Sequence, residues 1–250
     1  MNQTTVVNKI SDLGYKGLKE AYLRQIEDMN YHNLSFDERL YQLLDAQDIF
    51  LKDKRVQMNL KLSKIKNKQA LLEDIDYDPK RKLNKTQILS LSSMDFIRKH
   101  QNVILNGKTG SGKTFLAEAI GIRAIYEGFT VYYIRTSTLL EEIRLSRIDG
   151  NYTNLIKRFA RYKLLILDDF GVSAITPDDA TNLFEIIEAR NQLSSTIITS
   201  QLPVKDWYGY LQNNTIADAI LDRIVNSSHR IFLDGDSLRP KYGNISKDYE

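Results

Sequence analysis

Gly107-Lys108-Thr109-Gly110-Ser111-Gly112-Lys113-Thr114 has the spacing G-x-x-x-x-G-K-[ST]. The apolar run Asn102-Val103-Ile104-Leu105-Asn106 precedes it and reads as a buried strand. Phe115-Leu116-Ala117-Glu118-Ala119-Ile120 follows, with helical periodicity to Tyr126 and a stop at Gly128. Strand, glycine loop and helix together make a phosphate-binding loop. Glycines let backbone N–H groups turn inward around phosphate oxygens, and the positive end of the helix faces the same anion. In this motif Lys113 reaches the β- and γ-phosphates, and Thr114 offers its hydroxyl to Mg²⁺.

Downstream of the loop, strands alternate with helices. Residues 130–134, 164–167, 196–200 and 230–233 read as further strands, with helices at 137–145, 152–162, 176–190 and 216–225. Leu164-Leu165-Ile166-Leu167 is apolar on both faces, as in a parallel sheet covered by helices. The expected architecture is α/β, a five-stranded parallel sheet in one nucleotide domain over 101–250. Residues 1–70 carry little strand signal and read as a small all-α domain. Ser35-Phe36-Asp37-Glu38 is a capping box for a helix expected to continue to about residue 68, with Leu40, Leu43 and Leu44 inward. Residues 71–100 read as a linker with lead-in helices.

Composition narrows the function. There is no cysteine, so disulfides and thiolate metal sites are excluded. His32, His100 and His229 lack ligand spacing. No basic-then-apolar leader opens the chain and no run reaches the length of a membrane span, so the expected location is cytoplasmic with no membrane partner.

Asp168-Asp169 ends the strand over 164–167. Ligands of open α/β sheets sit outside the carboxyl ends of strands, where the glycine loop also lies. Asp168 is therefore expected to orient Mg²⁺, largely through water, and Asp169 to act as general base toward the attacking water. The strand at 130–134 intervenes between loop helix and acidic strand, the mark of ATPases of the additional-strand class. Thr199-Ser200-Gln201 ends the fourth strand with polar side chains that could sense the γ-phosphate. Arg223, in Leu221-Asp222-Arg223, reads either as a surface arginine or as a guanidinium for charge on the γ-phosphoryl group. Lys52, Lys54, Arg55, Lys61, Lys64, Lys66 and Lys68 are dense enough to attract polyphosphate, or serve as a solvated helix face. Trp207 reads as the anchor of the turn after the fourth strand.

Gly107–Thr114, 164–171, 196–203 and 221–223 together resemble the IstB/DnaC family of AAA+ ATPases, closest to the IstB branch that assists insertion-sequence transposition. Leu34-Ser35-Phe36-Asp37-Glu38-Arg39-Leu40 extends the resemblance toward the amino end. It implies a P-loop AAA+ domain using ATP and Mg²⁺, with the nucleotide between neighbouring subunits. It further implies homo-oligomers on duplex DNA, a transposase as partner, and the helical amino-terminal domain as the contact to that partner or to DNA. Arg223 matches the arginine acting in trans, and Arg239 a carboxy-terminal arginine of relatives. A loader of the replicative helicase, as in the DnaC branch, is the alternative. Two departures stand out. Relatives often carry Asp-Glu where this chain has Asp168-Asp169, and Asn where it has Gln201.

Overall fold

Three helices form the amino-terminal part of the chain, α1 (Gln3–Asp12), α2 (Lys16–Glu27) and α3 (Phe36–Leu62). The computed structural model describes residues 2–238, so Arg239 lies outside the described residues. The chain forms two compact units, residues 1–59 and 60–250. Within the first, α3 opens with the expected capping box. The Ser35 amide donates to Glu38 Oε2 at 2.7 Å, and the Glu38 amide to Ser35 Oγ at 3.3 Å. The buried line of α2 is Gly17, Ala21 and Gln25. It is small enough that a Cβ on Gly17 would lie 2.6 Å from Ala46 O and from Phe50 Cβ of α3. Leu40 and Leu44, expected inward, are instead 39% and 54% exposed. The close approach at Gly17 selects the Ala46 and Phe50 side of α3 for packing.

α3 ends at Leu62 rather than near residue 68. No glycine or proline stops it. Lys64 takes φ +60°, and the Ser63 carbonyl is taken by the Tyr133 amide at 2.7 Å. A tertiary hydrogen bond thus replaces helix propagation. Residues 60–70, expected as the end of the helical domain, are part of the second unit, as is the stretch expected as a linker. Ile65 and Ala70 are buried, and Glu118 accepts from the Lys66 amide at 3.2 Å. The unit boundary accordingly falls at 59/60 instead of 70.

The second unit continues through α4 (Lys85–Ser92) and α5 (Asp95–Arg98) to β1 (Asn102–Gly107). Then come α6 (Lys113–Tyr126), β2 (Val131–Arg135), α7 (Thr136–Ile148), α8 (Tyr152–Arg161) and β3 (Leu164–Phe170). The chain proceeds through α9 (Pro177–Arg190), β4 (Ser195–Ser200), α10 (Trp207–Leu211), α11 (Asn214–Val225) and β5 (Ser228–Leu233). The five strands form one parallel sheet in the order β2-β3-β4-β1-β5. The expected α/β class and five-stranded parallel sheet are both present.

Strand alternation divides the core into two layers. Ile104, Tyr132, Leu165, Leu167 and Ile198 pack with α7, α8, α9 and α11. On the other face Gly121 of α6 sits so near Ile166 and Val131 that a Cβ would come 2.8 and 3.5 Å from them. Both faces of the central strands are covered, which is why Leu164-Leu165-Ile166-Leu167 of β3 is a continuous apolar run, whereas the edge strand β5 alternates and leaves Phe232 exposed. The strand standing between loop strand β1 and acidic strand β3 is β4, while β2 (the one intervening in sequence) is the outer edge. Connectivity along the chain does not dictate neighbours in the sheet.

Candidate functional site

β1 runs into the glycine loop and α6 starts at Lys113. Gly110 and Gly112 have φ +79° and +91°, a region costly for residues with a Cβ. Space excludes a Cβ as well. One on Gly110 would lie 2.2 Å from Ser237 Oγ, and one on Gly112 2.8 Å from an Arg81 guanidinium nitrogen. Lys113 is buried, with Nζ donating to Gly107 O at 2.7 Å and Lys108 O at 2.8 Å. The ammonium is therefore held inside the loop. Ser111 is fully buried and its hydroxyl has no hydrogen-bond partner among the described residues.

β3 brings the acidic pair to the same end of the sheet. Asp168 is 1% exposed and accepts three hydroxyl groups. Thr114 Oγ1 lies 3.1 and 3.2 Å from its two oxygens, Tyr133 donates at 2.5 Å, and Thr199 donates to Oδ1. Burial, and then the Asp168 carboxylate, push the Tyr133 phenol well above its ordinary pKa, so it stays a donor. A register shift between Leu167 and Phe170 breaks the alternation of β3. It leaves Asp169 at φ +58° with its amide donating to Thr199 Oγ1 at 3.1 Å. Two adjacent carboxylates thereby serve different places, Asp168 inward against Thr114 and Asp169 at the cleft wall. Asp169 pairs with Arg135 Nε at 3.5 Å, both side chains partly exposed.

These groups surround a cleft of about 680 Å³, within the usual range for small-molecule sites. Thr109, Gly110, Lys113, Thr114, Asp169 and Gln201 contribute to its lining. Gln201 accepts from Thr109 Oγ1 at 2.6 Å, so of the fourth-strand tail it is the residue that reaches the loop. Thr199 instead supports the carboxylates, and Ser200 Oγ donates to Phe170 O at 2.8 Å. Trp207 anchors the turn as expected, buried with Nε1 donating to Leu202 O at 2.9 Å.

Arg223 is not brought to this cleft. Its guanidinium pairs with Glu188 and lies over the Phe184 ring at 5.0 Å, and its carbonyl accepts from Asn102 Nδ2 at 3.2 Å. Asn102 begins β1 and the glycine loop follows its other end. At about 3.3 Å per residue, Asn102 to Gly107 spans roughly 16 Å.

Three contributors were missed from sequence. Tyr133 reads as a packing residue inside an apolar strand, yet it binds Asp168. Arg135 pairs with Asp169. The strap with Asp74, Ile75, Asp76 and Arg81 walls the cleft. An acidic stretch followed by proline and basic residues carries no periodicity, so nothing local marks it as a wall.

The residues present fit a magnesium nucleoside triphosphate. Positive-φ glycines, an enclosed ammonium and a partnerless Ser111 hydroxyl suit a polyphosphate. One hydroxyl beside one carboxylate is an oxygen donor set for a hard cation that keeps several waters.

Comparison with known proteins agrees. The IstB-like ATP binding protein family matches residues 8–245. The insertion-sequence ATP-binding protein y4pL of Sinorhizobium fredii (strain NBRC 101917 / NGR234) is 37% identical over 233 residues, covering 93% of this chain and 95% of that protein. The ATP-binding protein of insertion sequence IS1162 from Pseudomonas fluorescens is 39% identical over 203 residues, 81% of this chain and 87% of that one. Among solved structures, the DnaC helicase loader superposes with a TM-score of 0.54 at 22% identity, covering 66% of this chain and 97% of that chain. DnaI gives 0.57 at 20%, with 66% and 92% covered. At these identities the two structures speak to the fold.

Proposed function

The chain belongs to the IstB-like ATP-binding protein family and is an ATPase, and from that premise we propose that it assists a DNA transposase. In this reading it assembles on duplex DNA as an oligomer bridged by ATP and helps to choose the transposition target. The observation that carries the reading is the pairing of Thr114 with Asp168 in a chain that matches insertion-sequence ATP-binding proteins over nearly its whole length.

Mg²⁺ held with the phosphates supplies charge neutralisation on the transferring γ-phosphoryl group. The residues of the chain do the rest. The loop from Gly107 to Thr114 cradles the phosphates with its amides. Lys113 exchanges its contacts with Gly107 O and Lys108 O for β- and γ-oxygens. Thr114 and Asp168 would hold the cation, and the Tyr133 and Thr199 hydroxyls keep Asp168 in orientation. Asp169 orients the attacking water and takes its proton. Arg135 supports that carboxylate from the side, and Gln201 is the polar contact to the γ-phosphate. Asp169 is one methylene shorter than glutamate, so slow turnover is expected.

Arg223 acts on the nucleotide of a neighbouring subunit. Its distance from the loop of its own chain supports this assignment, since a guanidinium at the far end of β1 has no route to the γ-phosphate in cis. The lysine-rich stretch at 52–68 and the helical unit serve DNA and the partner protein.

The test is ATP hydrolysis at fixed low salt, alone, with duplex and with single-stranded DNA, since phosphate contacts weaken steeply with salt. Stimulation by duplex is expected. Preference for single strands would favour a helicase loader instead. In mixed assemblies Arg223→Ala subunits should bind ATP yet silence wild-type neighbours. Activity strictly proportional to wild-type content would remove the trans assignment.

A further inference from the structure

A buried arginine stands behind the phosphate loop, outside every motif. Arg81 is 6% exposed. Nη2 donates to Ser111 O at 2.5 Å and Nη1 to Asp76 O at 3.0 Å, while Nε is buried without a hydrogen-bond partner. Space is made for it. Cβ atoms on Gly112 and Gly235 would lie 2.8 Å from Nη2 and 3.3 Å from Cγ. The backbone is fixed too. Arg81 O accepts from the Asp234 amide at 3.2 Å, and the next residue, Lys82, pairs with Asp234 at 2.9 Å. A second segment clasps the loop from the same side, with the Leu238 amide donating to Gly110 O at 3.0 Å.

The geometry points to Arg81 as a positioning residue for the nucleotide phosphates, acting through the Ser111–Gly112 peptide. The carbonyl that accepts from the guanidinium shares its peptide with the Gly112 N–H. Drawing electron density toward that oxygen makes the N–H a stronger donor, because hydrogen bonds in series polarise one another. The amides of this loop are the phosphate ligands of the motif. Arg81 is also a lining residue of the cleft, as Lys113 is, so it adds a positive charge to a site where a polyphosphate brings several negative ones. A planar fork bridges the Ser111 and Asp76 carbonyls from two separate nitrogens held in a fixed geometry, which the single nitrogen of an ammonium does not offer.

This inference rests on nucleotide binding at the loop. The test is calorimetric titration of the full chain with ATP, ADP and AMP for wild type, Arg81→Met and Arg81→Lys, alongside steady-state hydrolysis. Arg81→Met should weaken ATP and ADP by about 10- to 100-fold, as expected for loss of charge-assisted hydrogen bonds. AMP should weaken far less, so the affinity gap between ADP and AMP narrows. KM for ATP rises and kcat at saturation stays within about threefold. Arg81→Lys recovers part of the affinity. A scaffold that merely holds the strap would lower the melting temperature of the empty protein and leave the ADP–AMP gap intact, which overturns the inference. Equal losses for all three nucleotides would do the same. If Arg81→Met fails to fold, Arg81→Lys carries the comparison, and an unchanged gap in that variant rejects the bridging role. Wild-type protein that ignored ATP and ADP would instead remove the nucleotide reading itself.

Discussion

At the scale of single residues, one hydroxyl organises the acidic pair. Thr199 donates to Asp168 and accepts from the Asp169 amide, so β4 sets the conformation of both acids on β3. The placement of Lys113, Thr114, Asp168 and Asp169 at one end of the sheet was legible because it follows from spacing within one motif or one strand end. Thr199 was read as one of the polar groups facing the γ-phosphate, and its hold on the acidic pair, like that of Tyr133 on Asp168, was not legible because these contacts arise from strands that meet only in the folded sheet. Arg81 was hidden for another reason, since a basic residue after an acidic strap reads as solvated. Outside the cleft, Asp179 shows how a residue earns a measurable pH dependence. Burial raises its pKa, but the Arg144 fork at 3.1 and 2.7 Å and hydrogen bonds with Thr176 outweigh it, leaving the carboxyl below its ordinary value. A depressed folded pKa contributes stability that is present above the unfolded value and lost as pH falls through the folded one. Asp179→Ala should cost about 1–3 kcal/mol at pH 7, from the cap and the buried hydrogen bonds. The difference from wild type should stay level down to about pH 5 and shrink below pH 4. Urea unfolding at several pH values checks this, and a difference that grew in acid would contradict the assigned ion pair.

At the scale of elements, the strands were the easiest part to read. A parallel strand covered on both faces is a run of apolar residues, and all five runs became strands. Their order was not readable, because β4 inserts between β1 and β3 from far along the chain. The short helix α10 escaped notice because five residues hold too little periodicity. In the helical unit the apolar pattern of α3 pointed to Leu40 and Leu44. Packing follows the absence of a side chain on α2 instead. Gly17 lets the two helices approach so closely that an added Cβ meets Ala46 O and Phe50 Cβ at 2.6 Å. Gly17→Ala gains about 1 kcal/mol of helix propensity and loses about 1–3 kcal/mol to overpacking, so the net effect should be destabilising. Gly209→Ala is the control, since a Cβ there has open space within 4 Å. That change should be neutral or stabilising by up to about 1 kcal/mol. Chemical denaturation of both variants decides, and a stabilised Gly17→Ala would mean that the helices do not pack at this point.

At the scale of the whole molecule, the chain joins two bodies of unequal strength. Residues 1–59 form a unit of the size at which an unaided core is marginal, while residues 60–250 carry the sheet and the cleft proposed to bind nucleotide. The expected boundary at residue 70 was displaced because Ser63, Ile65 and Lys66 engage β2 and α6 through contacts distant in sequence. All of the residues proposed to bind nucleotide in the chain's own cleft belong to the second unit, so ligand stabilisation should fall on that unit alone. A ligand that binds only the folded form at 100 times its Kd adds about 2.7 kcal/mol. For a domain of this size that corresponds to a rise of about 5–10 °C in Tm. Scanning calorimetry with and without saturating Mg·ATP should therefore show two transitions. The weaker one, from the helical unit, should stay in place, and the main one should rise. Lys113→Ala should abolish the rise and leave the weaker transition unmoved, because Lys113 belongs to the second unit and donates to Gly107 O and Lys108 O of the phosphate loop. A single transition that rises as one would mean that the units unfold cooperatively. The helical unit would then sense the nucleotide directly, and partner binding there would have to be linked to ATP within one chain.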